Sequence, residues 1–150
     1  MKALLRLCLL VLCAPFFAHA AEPTEQDAVA MVQKALAYAK ANGTDKLVAA
    51  VNAKSPEFDQ GELYVVVVDA TDNVQLAHPI DPQLVGINAD DMQDIDGTEF
   101  GKDMLEMVRA HGKGWIGYMY KNPVTNRTER KMSYVEMSGD IYAVAGIYKP

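Results

Sequence analysis

Seven side chains on β-prone stretches carry the chemical potential of this sequence: Tyr64, His78, Trp115, Tyr118, Tyr120, Lys131 and Tyr134. Alternation along a strand puts Tyr118 and Tyr120 on one face of theirs, and Lys131, Ser133 and Val135 on one face of the next. A lysine among apolar neighbours in a central strand is costly unless its ammonium reaches water or meets an anion. Tyrosine hydroxyls beside it would make a pocket for a small carboxylate. The competing reading has Lys131 snorkelling to the sheet edge, the tyrosines half-buried in the core and Trp115 inside it. His78 lies on the apolar alternation Val74, Leu76, His78 and is either a satisfied buried histidine or a ligand contact.

Other chemistries find no support. After residue 20 only His78 and His111 remain, so a three-histidine metal site is impossible, and His111 is placed to complement the C-terminal end of a helix. The run Asp90-Asp91-Met92-Gln93-Asp94-Ile95-Asp96-Gly97 has the composition of a calcium loop but not the spacing, since the first ligand place falls on Met92. It reads as a solvated loop with helix-capping acids. Ser55, Ser133 and Ser138 lack a Gly-x-Ser-x-Gly elbow, and no glycine-rich phosphate loop is present. Neither an enzyme nor a resident cofactor or metal is expected.

The elements that must position the seven residues follow from periodicity. Thr24 caps a helix carrying Val29, Val32 and Leu36, which Asn42-Gly43 ends; a shorter helix with Leu47, Val48 and Val51 runs to Ser55-Pro56. The stripe Val29, Val32, Leu36 serves core packing, with a homodimer as the alternative. Gly61–Asp69 reads as a strand covered on both faces, forming a hairpin with Val74–His78. Residues 80–97 form a structured loop, and Thr98 opens a helix with Phe100, Met104, Leu105 and Val108 on one face. Three strands, 115–120, 128–137 and 141–148, follow as a meander. The expected fold is α+β: a five-stranded, mostly antiparallel sheet with a long N-terminal helix and a crossover helix.

With 150 residues, half of them hydrophobic, the chain has the size of one domain. Lys2 and Arg6, the apolar run 7–17 and Ala18-His19-Ala20 have the form of a cleavable secretory signal, too short for a comfortable membrane span of roughly 20 residues. A retained anchor is the alternative. Cleavage after Ala20 removes Lys2, Arg6 and no acid, leaving 12 bases against 20 acids, a formal charge of −8. It also removes Cys8 and Cys13, and with them disulfides, thiolate nucleophiles and thiolate metal sites. An acidic chain without a run of Lys and Arg is not a nucleic-acid binder. Residues 21–150 are therefore expected to be one periplasmic or secreted domain.

The sequence resembles the single Cache sensor domains of bacterial chemoreceptors and sensor kinases over Phe58 to Tyr148. The resemblance rests on Phe58-Asp59-Gln60-Gly61-Glu62-Leu63-Tyr64, Leu76-Ala77-His78-Pro79, Leu84-Val85-Gly86-Ile87-Asn88 and Asp94-Ile95-Asp96-Gly97-Thr98-Glu99-Phe100. It continues through Gly114-Trp115-Ile116-Gly117-Tyr118, Asn122-Pro123, Lys131-Met132-Ser133-Tyr134-Val135 and Gly146-Ile147-Tyr148. It implies a PAS-like fold and a pocket for short carboxylates such as acetate, propionate or pyruvate, lined by Trp115, Tyr118, Tyr120 and Lys131. Where such receptors have Trp after Gly139-Asp140, this chain has Ile141-Tyr142, a different pocket wall. No membrane, kinase or methyl-accepting segment follows Tyr148, so a signal would pass through a separate membrane sensor or transporter. The alternative function is a ligand-free protein interaction or dimerisation module.

Overall fold

The computed structural model describes residues 22–149; the expected signal segment, with Cys8 and Cys13, lies outside the described residues. Helix α1 (Glu25–Asn42) starts at a reciprocal cap, in which the Thr24 hydroxyl accepts from the Asp27 N–H and the Asp27 carboxylate accepts from Thr24. It buries Ala28, Met31, Val32, Ala35 and Leu36 against the sheet. Gly43, at φ 97°, turns the chain into α2 (Thr44–Asn52), which buries Leu47 and Val51. The apolar stripe of α1 is thus used within the chain, although Val29 is only half-buried.

Six strands follow, one more than expected: β1 (Asp59–Gln60), β2 (Leu63–Asp69), β3 (Gln75–Ala77), β4 (Lys113–Lys121), β5 (Thr128–Ser138) and β6 (Ile141–Lys149). β1 is a two-residue strand folded back on β2 across the Gly61 turn, and two residues carry no periodicity to find. The sheet runs β1-β2-β6-β5-β4, with β3 also paired to β2, and all these pairings are antiparallel. Helices α1 and α2 cover one face. Helix α3 (Phe100–His111) covers the other, through Phe100, Met104, Leu105 and Val108. Gly112, left-handed at φ 76°, ends α3 with His111 exposed beside the terminal carbonyls. The fold's two ends meet where Lys149 pairs with Glu25 at 3.0 Å.

The crossover from β3 to α3 contains two 3₁₀ turns, Pro82–Leu84 and Ala89–Asp91. Asp90, Asp91 and Asp96 are exposed, as expected of a solvated loop, and Asp81 caps the first 3₁₀ turn; the expectation is corrected at Asp94, which is structural, and at α3, which no acid caps. Asp94 accepts from the Met119 N–H (2.8 Å) in β4 and from the N–H groups of Asp96 and Thr98, and the Met119 bond is the main cause holding its carboxyl below the ordinary range. Asp90 accepts from Asn73, and α3 begins at Glu99 without any side-chain cap. The loop is fastened to the sheet at both ends.

Candidate ligand-binding site

Between α3, the crossover loop and the sheet lies a cavity of about 40 Å³, counted as the volume open to the centre of a water molecule. That is room for on the order of three waters, or one small organic molecule in their place. Strand register builds its polar end. Tyr118 pairs directly with Lys131, and Lys131 with Tyr148 on the next strand, so three functional side chains stand in one row on the α3 face. Gly146 makes the row possible: a methyl group there would lie 2.9 Å from the Lys131 Cε and would collide with the Ser133 hydroxyl. Only glycine at this position leaves room for the lysine stem.

Lys131 is 4% exposed. Its Nζ donates to the Tyr64 hydroxyl at 2.8 Å and lies 4.0, 4.8 and 5.3 Å from the ring centroids of Tyr64, Tyr148 and Tyr120. Ring faces stabilise a cation but do not neutralise it. The ion pairs among the described residues, Lys34–Glu57, Lys102–Glu99 and Lys149–Glu25, are all at the surface, and none includes Lys131. Burial therefore pulls its ammonium down to a pKa of about 7. Beyond the lysine the hydroxyls form a directed chain, because Tyr148 donates to the Lys121 carbonyl (3.0 Å) and can accept from Tyr64 (3.4 Å).

His78 is fixed by backbone. Its own N–H donates to the Asn52 side chain at the end of α2, and its Nδ1 accepts from the Asp81 N–H at 2.9 Å, so the ring proton belongs on Nε2, a donor in the cavity lining. Burial first, and the Lys131 charge second, lower its pKa to about 4. The unfolded histidine takes up its proton near 6.5 and the folded one only near 4, so this group's contribution to stability is lost as pH falls through that window. The expected loss is up to about 3 kcal/mol, read from urea midpoints at pH 7, 5 and 4. His78→Gln should flatten the profile over that interval, and an equally steep profile in the variant would assign the loss to other groups.

Tyr118 stacks on Phe100 (4.3 Å, 9°) and its hydroxyl pairs with Ser133 at 3.0 Å; Tyr120 meets Phe100 edge-on. Burial raises the Tyr118 hydroxyl well above its usual range and Tyr120 to about 12, so both are neutral hydrogen-bonding groups at physiological pH. The other end of the cavity is apolar, formed by Val66, Val68, Met92, Phe100 and Met104.

Of the seven residues singled out in the sequence, the structure brings together Tyr64, His78, Tyr118, Tyr120 and Lys131. Trp115 and Tyr134 are corrected. They pair with each other on the opposite face, rings 5.3 Å apart, in the core beneath α1, and Tyr134 donates to Glu136. The reason is the period of two: Trp115 is out of phase with Tyr118 and Tyr120, and Tyr134 with Lys131 and Ser133. The face assigned to β3 is corrected as well. A register shift between Val67 and Val68 sets Gln75 opposite Val68, so Gln75 lines the cavity while Leu76 packs on the other face, in the core under α1 and α2. The Gln75 amide donates at 3.0 Å only to the Met92 thioether, a weak acceptor. Tyr142 also lines the cavity; its hydroxyl donates to Asn73 at 2.6 Å, and Asn73 in turn donates to Asp90 and to the Gly101 carbonyl. A buried glutamine between apolar residues was the one sequence signal for Gln75.

An antiparallel sheet enclosing a small cavity, mostly apolar with one polar end, under a crossover helix is the arrangement of PAS-like sensor domains. A family model for the Cache domain (dCache_2) matches residues 26–148, and the chain belongs to that family of sensor domains. The match begins within α1, upstream of Phe58, where the resemblance in sequence starts.

Among solved structures, the periplasmic sensor domain of a chemotaxis protein is similar, with 25% identity over 83% of this chain and 90% of its own and a TM-score of 0.65. A methyl-accepting chemotaxis protein from Vibrio parahaemolyticus RIMD 2210633 shares the fold, with 22% identity, TM-score 0.67 and 80% and 84% of the two chains covered. So does a Cache chemosensory domain described for its recognition of carboxylic acids, with 20% identity, TM-score 0.65 and 83% and 88% covered. No helix among the described residues is long and apolar enough to cross a membrane.

Proposed function

We propose that this Cache domain, residues 21–150, is exported behind the signal at 1–20 and senses a short carboxylate outside the cytoplasm, passing the signal to a separate membrane sensor or transporter. The observation that carries the reading is Lys131, a buried cation facing a small cavity with no acid paired to it. A carboxylate seated there supplies the missing counter-charge. Tyr64, Tyr118, Tyr120, His78 and Gln75 then select its shape through hydroxyl, imidazole and amide hydrogen bonds, while the Met92, Phe100 and Met104 end accepts a short alkyl or acyl group. The acidic surface opposes anions at long range, but screening over about 8 Å at physiological salt leaves the local cation in control. The carboxylic-acid recognition described for one structural neighbour supports the same class of ligand.

Acetate, propionate and pyruvate are the ligands to titrate calorimetrically into the wild type and Lys131→Met, alongside thermal shift. A ligand at a hundred times its Kd adds about 2.7 kcal/mol, a shift of several degrees. Binding by the wild type and at least a hundredfold loss in the variant is the expected result. Equal binding by both proteins would refute a role for Lys131, and no binding of any acid would favour a ligand-free interaction module.

A further inference from the structure

We infer that Lys131 is a covalent capture site: it forms a reversible imine with small carbonyl compounds that enter the cavity, 2-oxo carboxylates above all. The inference rests on the reading of the cavity as a carboxylate site and adds a bond to it. Three features of the geometry support it. The nitrogen has one hydrogen-bond partner, the Tyr64 hydroxyl at 2.8 Å, and no carboxylate that would hold it as a permanent ammonium. It opens on a void sized for a molecule of a few heavy atoms. Residues able to hydrogen-bond a reacting oxygen line the same void, among them Tyr118, Gln75 and His78 with its Nε2–H.

Desolvation is what turns a lysine into a nucleophile. With its pKa lowered by burial to about 7, a substantial share of Lys131 is free amine at neutral pH, against roughly one part in a thousand or less for a lysine in water. In the reaction the amine's electron pair forms the C–N bond to the carbonyl carbon. The carbonyl oxygen leaves as water with two of the protons that the ammonium carried, and the nitrogen keeps the third together with the positive charge. Ammonium and carbonyl thus give iminium and water, with nothing oxidised or reduced. Because the iminium is still a cation, a carboxylate next to the carbonyl keeps its counter-charge after the bond has formed. A simple carboxylate without a carbonyl occupies the same place through charge alone.

The test is reductive trapping. The purified protein is incubated at pH 7 with pyruvate and cyanoborohydride, with and without excess propionate, and the adducts are located by peptide mass mapping; pyruvate and propionate binding are measured separately without reductant. We expect one reduced adduct at Lys131, formed on the order of a hundredfold faster than at any surface lysine, suppressed by propionate and absent from Lys131→Met. Pyruvate binding without trapping at Lys131, or trapping spread evenly over surface lysines, would overturn the imine and leave the carboxylate reading standing. Absence of binding by both acids, with no adduct at Lys131, would overturn both.

Discussion

Lys131→Met is expected to fold more stably than the wild type while it loses the ligand. The two effects have one cause, the unpaired ammonium in the sheet. In the unfolded chain this lysine holds its proton up to about pH 10.5, whereas in the fold it gives it up near pH 7. Below pH 7 both states carry the charge, and the fold bears the whole cost of burying it. As pH rises from about 7 towards 10.5 the folded lysine is already neutral while the unfolded one is not, so wild-type stability rises across that interval. Methionine has a similar length and no charge, and replacing buried ions by apolar side chains of similar volume can stabilise by about 1–4 kcal/mol. Tyr64 loses its 2.8 Å partner, which returns about 1 kcal/mol of the gain. A net stabilisation of about 1–3 kcal/mol at pH 6, shrinking steadily by pH 9.5, is the expected outcome of urea unfolding. A destabilised variant, or a gain independent of pH, would show that the buried charge is not the controlling feature.

Gly101→Ala should do the reverse and destabilise by about 2–4 kcal/mol, although an Ala in place of Gly inside a helix ordinarily adds about 1 kcal/mol. The added methyl would lie 2.7 Å from the Ala89 carbonyl carbon and closer still to its oxygen, and backbone cannot rotate away as a side chain can. The contact joins the first turn of α3 to the Ala89–Asp91 turn. Asn73 bonds both at once, through Asp90 and the Gly101 carbonyl, and is itself held by Tyr142. Separating them moves Phe100 and Met104 away from Met92, so the apolar end of the cavity should open and ligand affinity fall with stability. Lys102→Ala, the adjacent and exposed position, is the control and should stay within about 0.5 kcal/mol of the wild type. A mild Gly101→Ala phenotype would mean that α3 can slide along the sheet.

Strand period two and helix period 3.6 made much of this fold legible before any coordinates. The β-branched run 63–68, the apolar face of α3 and the Thr24 cap all stand where spacing put them. The same alternation already separated Trp115 from Tyr118 and Tyr134 from Lys131, yet grouping the aromatics by type rather than by phase joined them. Gln75 escaped because a register shift is a property of two strands together, and one strand's sequence does not record it. Asp94 looked like one acid among several. What distinguishes it is a partner in β4, 25 residues away, to which local spacing is blind. The Cache resemblance agreed with the pocket that alternation and the lysine's burial suggested around Lys131, and added the PAS-like fold that would enclose it.

The ion pair of Glu25 with Lys149 gives the domain the topology of a nearly closed ring. The first helix and the last strand come together, so whatever is attached to either end departs from the same place on the molecule, beside the strand that lines the cavity with Tyr142, Val144 and Ala145. Such a domain can be inserted as a cassette into a host chain with little disturbance of the host. A short bridge between residues 25 and 149, with the chain reopened at the exposed Val124–Arg127 turn, would leave every strand pairing described above intact.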